Sequence, residues 1–160
     1  MFVRDNHALE GLPLKLTIIG IVLGISIPLI FGAFISYDKF NTEQQLRNEL
    51  YILANAAKKV YLGNVNSSDV VKLHINEGFF TKIEYIKIGG ALDDKINRTS
   101  IVYKLTNLGE GKIVITDPNI NMTSEDNKSL TLGRGLYTLI LTCKYHSQMK
   151  GIYVEVKITT

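Results

Sequence analysis

Three hydrophobic rhythms succeed one another along the chain. The first is the run LTIIGIVLGISIPLIFGAFI, Leu16–Ile35, which carries no charge and has only Thr17 and Ser26 as polar side chains. At about 1.5 Å per residue it forms a helix of about 30 Å, the thickness of a bilayer's hydrocarbon core. The second lies in NTEQQLRNELYILANAAKKVYLG, where Leu46, Leu50, Leu53, Ala57 and Val60 recur at alternating steps of four and three. That spacing predicts one narrow apolar stripe on an amphipathic helix, with Gln45, Arg47, Asn48, Asn55 and Lys59 opposite. The breakers GNVNSSD, from Gly63, end it.

The third rhythm is that of strands and begins near Leu73. FFTKIEYIKI (Phe79–Ile88) mixes β-branched and aromatic residues and stops at Gly89-Gly90. TSIVYKL and KIVIT flank a hairpin turn at Asn107–Gly111. DPNINMTSEDNK reads as a loop, and after it come SLTL, the turn Gly133-Arg134-Gly135, LYTLILTCKY and GIYVEVKITT. In the last, Ile152, Val154, Val156 and Ile158 alternate with polar residues, as in a strand buried on one face. The expected fold is α+β. A long helix over 6–62, apolar at 16–35 and amphipathic at 42–62, leads into a small antiparallel β-sandwich over 63–160, built of six or so strands and immunoglobulin-like.

Composition adds little and excludes much. The net charge of +3 is scattered, so no basic patch points to nucleic acid. The single cysteine, Cys143, fits a buried strand position and makes no intramolecular disulfide. The apolar run exceeds the h-region of a cleaved secretory signal, and SYDKFNTEQQ after it has no small-residue cleavage site. It therefore reads as a retained, membrane-associated helix. Pro28 kinks such a helix rather than ending it. Gly20, Gly24 and Gly32 lie near one face, where small residues let another helix approach; glycine is also simply common in membrane helices.

Arg4 and Lys15 before the run nearly balance Lys39 and Arg47 after it, so charge does not orient it. Four Asn-x-Ser/Thr triplets, at Asn66, Asn97, Asn121 and Asn127, are candidate N-glycosylation acceptors. All follow the helix and favour an outside C-terminal region. Candidate chemistry is sparse. His7, His74 and His146 have no partner at metal-ligand spacing. The stretch from Asp117 begins like a calcium loop, but Met122 stands at the place of its glycine and Lys128 at that of its final acid. Neither Gly109-Glu110-Gly111 nor Gly133-Arg134-Gly135 continues into a phosphate loop. No nucleophile stands with a base. Neither an enzyme nor a metal or cofactor site is expected.

The head, RDNHALEGLPLKL, places Glu10 just ahead of the apolar run, where an acid is costly and needs a partner or a function. A short charged leader, an acid, an unbroken apolar helix, an amphipathic extension and a β domain together resemble an archaeal type IV pilin precursor, of the class III signal peptide kind. The family's pattern is a basic residue, glycine, a cut, Gln-x-Ser-x-Glu and the apolar run. On this sequence it gives Arg4, Asp5, a cut, then Asn6-His7-Ala8-Leu9-Glu10. Arg4 and Glu10 match in position, Asn6 and Ala8 are similar in kind, and Asp5 stands where the family has glycine.

The resemblance implies a leader over 1–5 removed by a prepilin peptidase, insertion in the cell membrane, and then self-association into a helical surface filament through membrane assembly machinery. The β domain would be pilin-type and outside, with a role in adhesion. Glu10 would pair with the new α-amine of Asn6 on a neighbouring subunit, fixing register more than adding stability. Gly20, Gly24, Pro28 and Gly32 would shape helix packing in the filament core. The alternative is a signal-anchored surface protein that does not polymerise, such as a stator-like envelope component of a motility apparatus. No nucleic-acid partner and no cofactor is implied.

Overall fold

A computed structural model of the chain describes residues 7–94, 96–106, 108–116, 118–147 and 150–159, with side chains from residue 13 onward. One helix precedes eight strands: α1 (His7–Leu62), β1 (Ser68–Ile75), β2 (Ile83–Ile88), β3 (Ser100–Leu105), β4 (Glu110–Val114), β5 (Met122–Ser124), β6 (Leu130–Leu132), β7 (Gly135–His146) and β8 (Gly151–Thr159). The fold is α+β, a long N-terminal helix followed by two sheets of mostly antiparallel strands. Their orders are β1-β7-β8-β5 (sheet A) and β4-β3-β2-β6 (sheet B). The chain divides into two compact units, Met1–Asp38 and Lys39–Thr160.

In the first unit no side chain from Pro13 to Tyr37 is buried. The helix runs through both Pro13 and Pro28. Pro28 has no N–H to give the carbonyl of Gly24, one turn back. Thr17 and Ser36 turn their hydroxyls back onto the carbonyls of Pro13 (2.8 Å) and Gly32 (2.9 Å), so neither group seeks a partner off the helix.

The second unit builds its own core. Leu46, Leu50, Leu53, Ala57 and Val60 are all buried, joined by Ala54. This stripe enters one hydrophobic cluster with the inner faces of both sheets. Val71, Leu73 and Ile75 of β1 and Leu139, Leu141 and Cys143 of β7 represent sheet A; Ile86, Ile88, Ile101 and Tyr103 represent sheet B. Burial on alternate residues is what a pleated strand with one dry face requires.

The helix also supports the sheets through polar contacts. The Glu49 carboxylate accepts the backbone N–H of His74 at 3.0 Å, satisfying a donor that edge strand β1 does not give to β7. Lys59 Nζ meets Asp69 Oδ2 at 2.9 Å. Contacts of residue 59 with 69 and of 49 with 74 mean that this part of α1 runs antiparallel to β1.

Several boundaries differ from the sequence reading. The region Asp117–Lys128 is more than a loop, because it contains β5, and β5 pairs with β8 in parallel (Met122 with Val154, Ser124 with Val156). Sheet A is therefore mixed. Strand β1 starts at Ser68, inside the expected breaker GNVNSSD; the turn is made earlier, by Asn64 and Asn66 at φ 80° and 73°. Of FFTKIEYIKI only Ile83–Ile88 is strand. Glu110 and Gly111 belong to β4, opposite Lys104 and Tyr103, not to a turn. In β8 only Val154 and Val156 are buried; Ile152 is half-buried and Ile158 exposed.

Candidate functional site

The first candidate surface is the apolar part of α1. Leu16 to Tyr37 bear no charge, between Lys15 and Asp38. Large side chains such as Leu16, Ile21, Ile25 and Leu29 are 59–69 % exposed. A β-carbon built on Gly20, Gly24 or Gly32 would meet nothing within 4 Å, so these glycines form an open strip. At 100° per residue they span about 120° of the helix circumference. The helix is long and apolar enough to cross a membrane, and this is compatible with membrane anchoring. Glu10 lies in α1, one of the residues whose side chains are outside the described set, and Arg4, Asp5 and Asn6 fall outside the described residues altogether.

The second candidate surface is formed by the four sequons, which the fold gathers at one end of the β-rich unit. Asn66 donates its backbone N–H to Cys143 O (2.8 Å), Cys143 pairs with Val154, and Val154 donates to Asn121 O (2.8 Å). Asn66 and Asn121 thus sit three strand spacings apart, about 15 Å. From β5, Met122 N–H bonds Arg98 O beside Asn97, and Leu92 N–H meets Asn127 Oδ1 at 2.9 Å. This end carries the C-terminus of β7 and the start of β8, far from the place where α1 enters.

The acceptor amides differ in what holds them. Asn66 and Asn97 are exposed, while Asn121 is half-buried with its sequon hydroxyl, Thr123, buried. Asn97 Nδ2 donates to Asp94 Oδ2 at 2.7 Å. That bond, with the backbone N–H groups of Ile96 and Asn97, holds the Asp94 carboxyl below the ordinary aspartate range. Asn127 occupies φ 54°, a left-handed position that asparagine tolerates.

Between these loops and the outer face of sheet B runs a groove of about 470 Å³. Its floor holds Tyr85, whose hydroxyl donates to Glu110 Oε2 (3.1 Å), and Lys87, whose ammonium lies 4.8 Å from the Tyr85 ring centre. Asp94, Asn97 and Lys128 stand on its walls. His74 is exposed on β1, and His146 meets Tyr153 edge-on at 6.1 Å. Among the described residues no three His, Cys, Asp or Glu side chains gather as metal ligands.

Known protein families, characterised proteins and solved structures yield no match to this chain. Its geometry therefore carries the functional reading.

Two polar contacts that the sequence did not disclose tie the helix to the sheets: Glu49 with His74, and Glu43 with Tyr103. The Tyr103 hydroxyl donates to Glu43 Oε1 at 3.0 Å, and Arg47 approaches the same carboxylate at 3.7 Å. Burial, then the neighbouring Glu43, raise the Tyr103 phenol above its ordinary value, with Arg47 opposing. A pKa raised in the folded state gives stability that is present below the unfolded value, about 10, and lost as pH rises through the folded one. The urea midpoint of the full chain in detergent is accordingly expected to fall between about pH 8 and about pH 11, and to fall less in Tyr103→Phe. Equal declines in the two proteins would contradict this assignment.

Proposed function

We propose that the chain is a structural subunit of an archaeal type IV pilus-like surface filament. The observation that carries this reading is the completeness of the β-rich unit. Among the described residues its core cluster draws on α1 only at Leu46–Tyr61, while the large side chains of Leu16–Ile35 are mostly exposed and offer an interface. Lipid serves before assembly, and the helices of other subunits serve afterwards. Because lipid already keeps water from that surface, assembly draws its free energy from close packing between helices rather than from a further hydrophobic gain. The glycine strip lets neighbouring helices approach, and Pro28 leaves the Gly24 carbonyl to be satisfied locally or by a neighbour. Glu10 pairs with the α-amine of Asn6 exposed by a prepilin peptidase. The β domain, pilin-type, faces outward and carries glycans and adhesive contacts on its sequon loops.

One residue favours a second reading. Asp5 puts a carboxylate beside the scissile bond, where the family has glycine. An uncut chain would be a permanently anchored surface protein with an immunoglobulin-like domain, as in a stator-like envelope component. The intact mass and N-terminal sequence of native protein separate the two. A chain that begins at Asn6 and is enriched in sheared surface material is expected for the filament subunit. A chain that keeps Met1–Asp5 and is found only in membranes would leave the anchored protein. The same spectrum reads glycan mass on the sequons.

A further inference from the structure

The end of the β-rich unit where α1 enters displays two phenyl rings. Because α1 runs antiparallel to β1, residues Thr42 and Glu43 stand at the end where β1 stops and β2 starts. The connection between those strands, Asn76–Lys82, contains Phe79, 82 % exposed, and Phe80, 37 % exposed. Their ring centres are 4.8 Å apart at an interplanar angle of 77°. The turn Gly133–Gly135 lies at the same end, since Gly135 pairs with Ile75.

The loop is braced from within. Gly78 N–H bonds Thr81 O at 3.0 Å, and Lys82 Nζ reaches Gly78 O at 3.3 Å. Glu77 accepts the N–H of Ile83 at 3.0 Å and lies 3.6 Å from Lys82 Nζ and 3.7 Å from Arg134. The Glu77 side chain is only 14 % exposed, against 52 % for Lys82 and 71 % for Arg134. The carboxylate is thus tucked inward while the two cations paired with it face solvent. Phe79 stands mostly in solvent, at a standing hydration cost, while Phe80 beside it is nearly two-thirds covered.

We propose that this loop is a lipid-contact site, in which Phe79 and Phe80 enter the boundary between headgroups and acyl chains while Lys82 and Arg134 meet lipid phosphates. Aromatic rings flanked by exposed cations are the chemistry of a membrane interface. The occupant follows from chain continuity. Only Asp38–Asn41 separate Tyr37, at the end of the uncharged run, from Thr42, already buried in the β-rich unit. Five residue steps reach at most about 18 Å, so with Leu16–Ile35 in a bilayer Thr42 stays close to the membrane surface. The inference rests on the membrane-inserted stage of the proposed function.

The chain contains no tryptophan, so single-tryptophan variants report one site each. Full-length Phe79→Trp, Phe31→Trp and Tyr145→Trp are reconstituted in phosphatidylcholine–phosphatidylglycerol vesicles with acyl chains brominated close to the headgroup or left unbrominated. Tyr145, 56 % exposed, is on β7 near the opposite end of the unit. Phe79→Trp is expected to lose roughly half its emission to brominated lipid, Tyr145→Trp to lose none, and Phe31→Trp to be quenched within the membrane. If Phe31→Trp is quenched and Phe79→Trp is not, the lipid site falls while membrane insertion stands. A blue-shifted but unquenched Phe79→Trp means a protein contact, such as a second copy, and likewise overturns the lipid site. If Phe31→Trp escapes quenching, the membrane-inserted stage and the lipid site fall together.

Discussion

Gly89→Ala is expected to destabilise the β-rich unit by about 3 kcal/mol or more, one of the largest effects of any single methyl group in this chain. Gly89 follows β2 at φ +62°, a left-handed conformation that costs an L-residue about 1–2 kcal/mol. The site has no room either. A β-carbon would stand 2.2 Å from the carbonyl oxygen of Met122 and 2.6 Å from its carbon. Those are backbone atoms of β5, so no side chain can swing aside. Displacing β5 strains two bonds, Gly90 N–H to Met122 O (3.1 Å) and Met122 N–H to Arg98 O (2.7 Å), and displacing Gly89 instead strains its N–H bond to Ser100 O (2.9 Å). Each is worth about 1 kcal/mol, and a buried group left unpaired costs more. Urea denaturation of the full chain in detergent reads the loss. Gly109→Ala is the control, because nothing lies within 4 Å of its added carbon, and it should stay within about 0.5 kcal/mol of wild type. Equal stabilities for Gly89→Ala and Gly109→Ala would show that β5 is not held as described.

Leu53→Ala is expected to cost about 2–5 kcal/mol, the range for truncating a buried leucine. Leu53 is fully buried, one helical turn from Leu50 and Ala57, which are fully buried too. Its neighbours belong to one cluster built from α1 and both sheets, so the cavity is walled by elements tied to each other and collapses little. The partner measurement is Ile52→Ala. Ile52 is the adjacent residue, equally bulky but 52 % exposed, and its loss should change stability by no more than about 0.5 kcal/mol. A comparable loss at both positions would mean that the helix contributes through its propensity rather than through the stripe.

What could be read in advance followed from periodicity. The residues Leu46, Leu50, Leu53, Ala57 and Val60 are legible as a stripe because helical geometry repeats every few residues and needs no distant information. The apolar run is legible for the same local reason, since its length and lack of charge are counted directly. Strand β8 is legible from its alternation, and β3 and β7 from runs of β-branched and aromatic residues between turn signals, β3 being buried at nearly every position. Strand β5 is not. Its three residues show no rhythm of their own and exist as strand only because β8, some 30 residues later in the chain, lies beside them.

The candidate surfaces divide along the same line. The apolar run, its glycines and the sequons are local patterns, and the sequence by itself settled that the chain has a membrane-compatible helix, a helical stripe and a β-rich remainder. Only the tertiary structure decided that the four sequons share one end, that the phenyl rings of Phe79 and Phe80 stand at the other, and that Glu43 and Glu49 reach Tyr103 and His74. The reason is physical. A helix is specified by neighbours three and four residues away, whereas the end of a sheet at which a loop emerges depends on pairings 60 or more residues apart, such as Ile75 with Gly135.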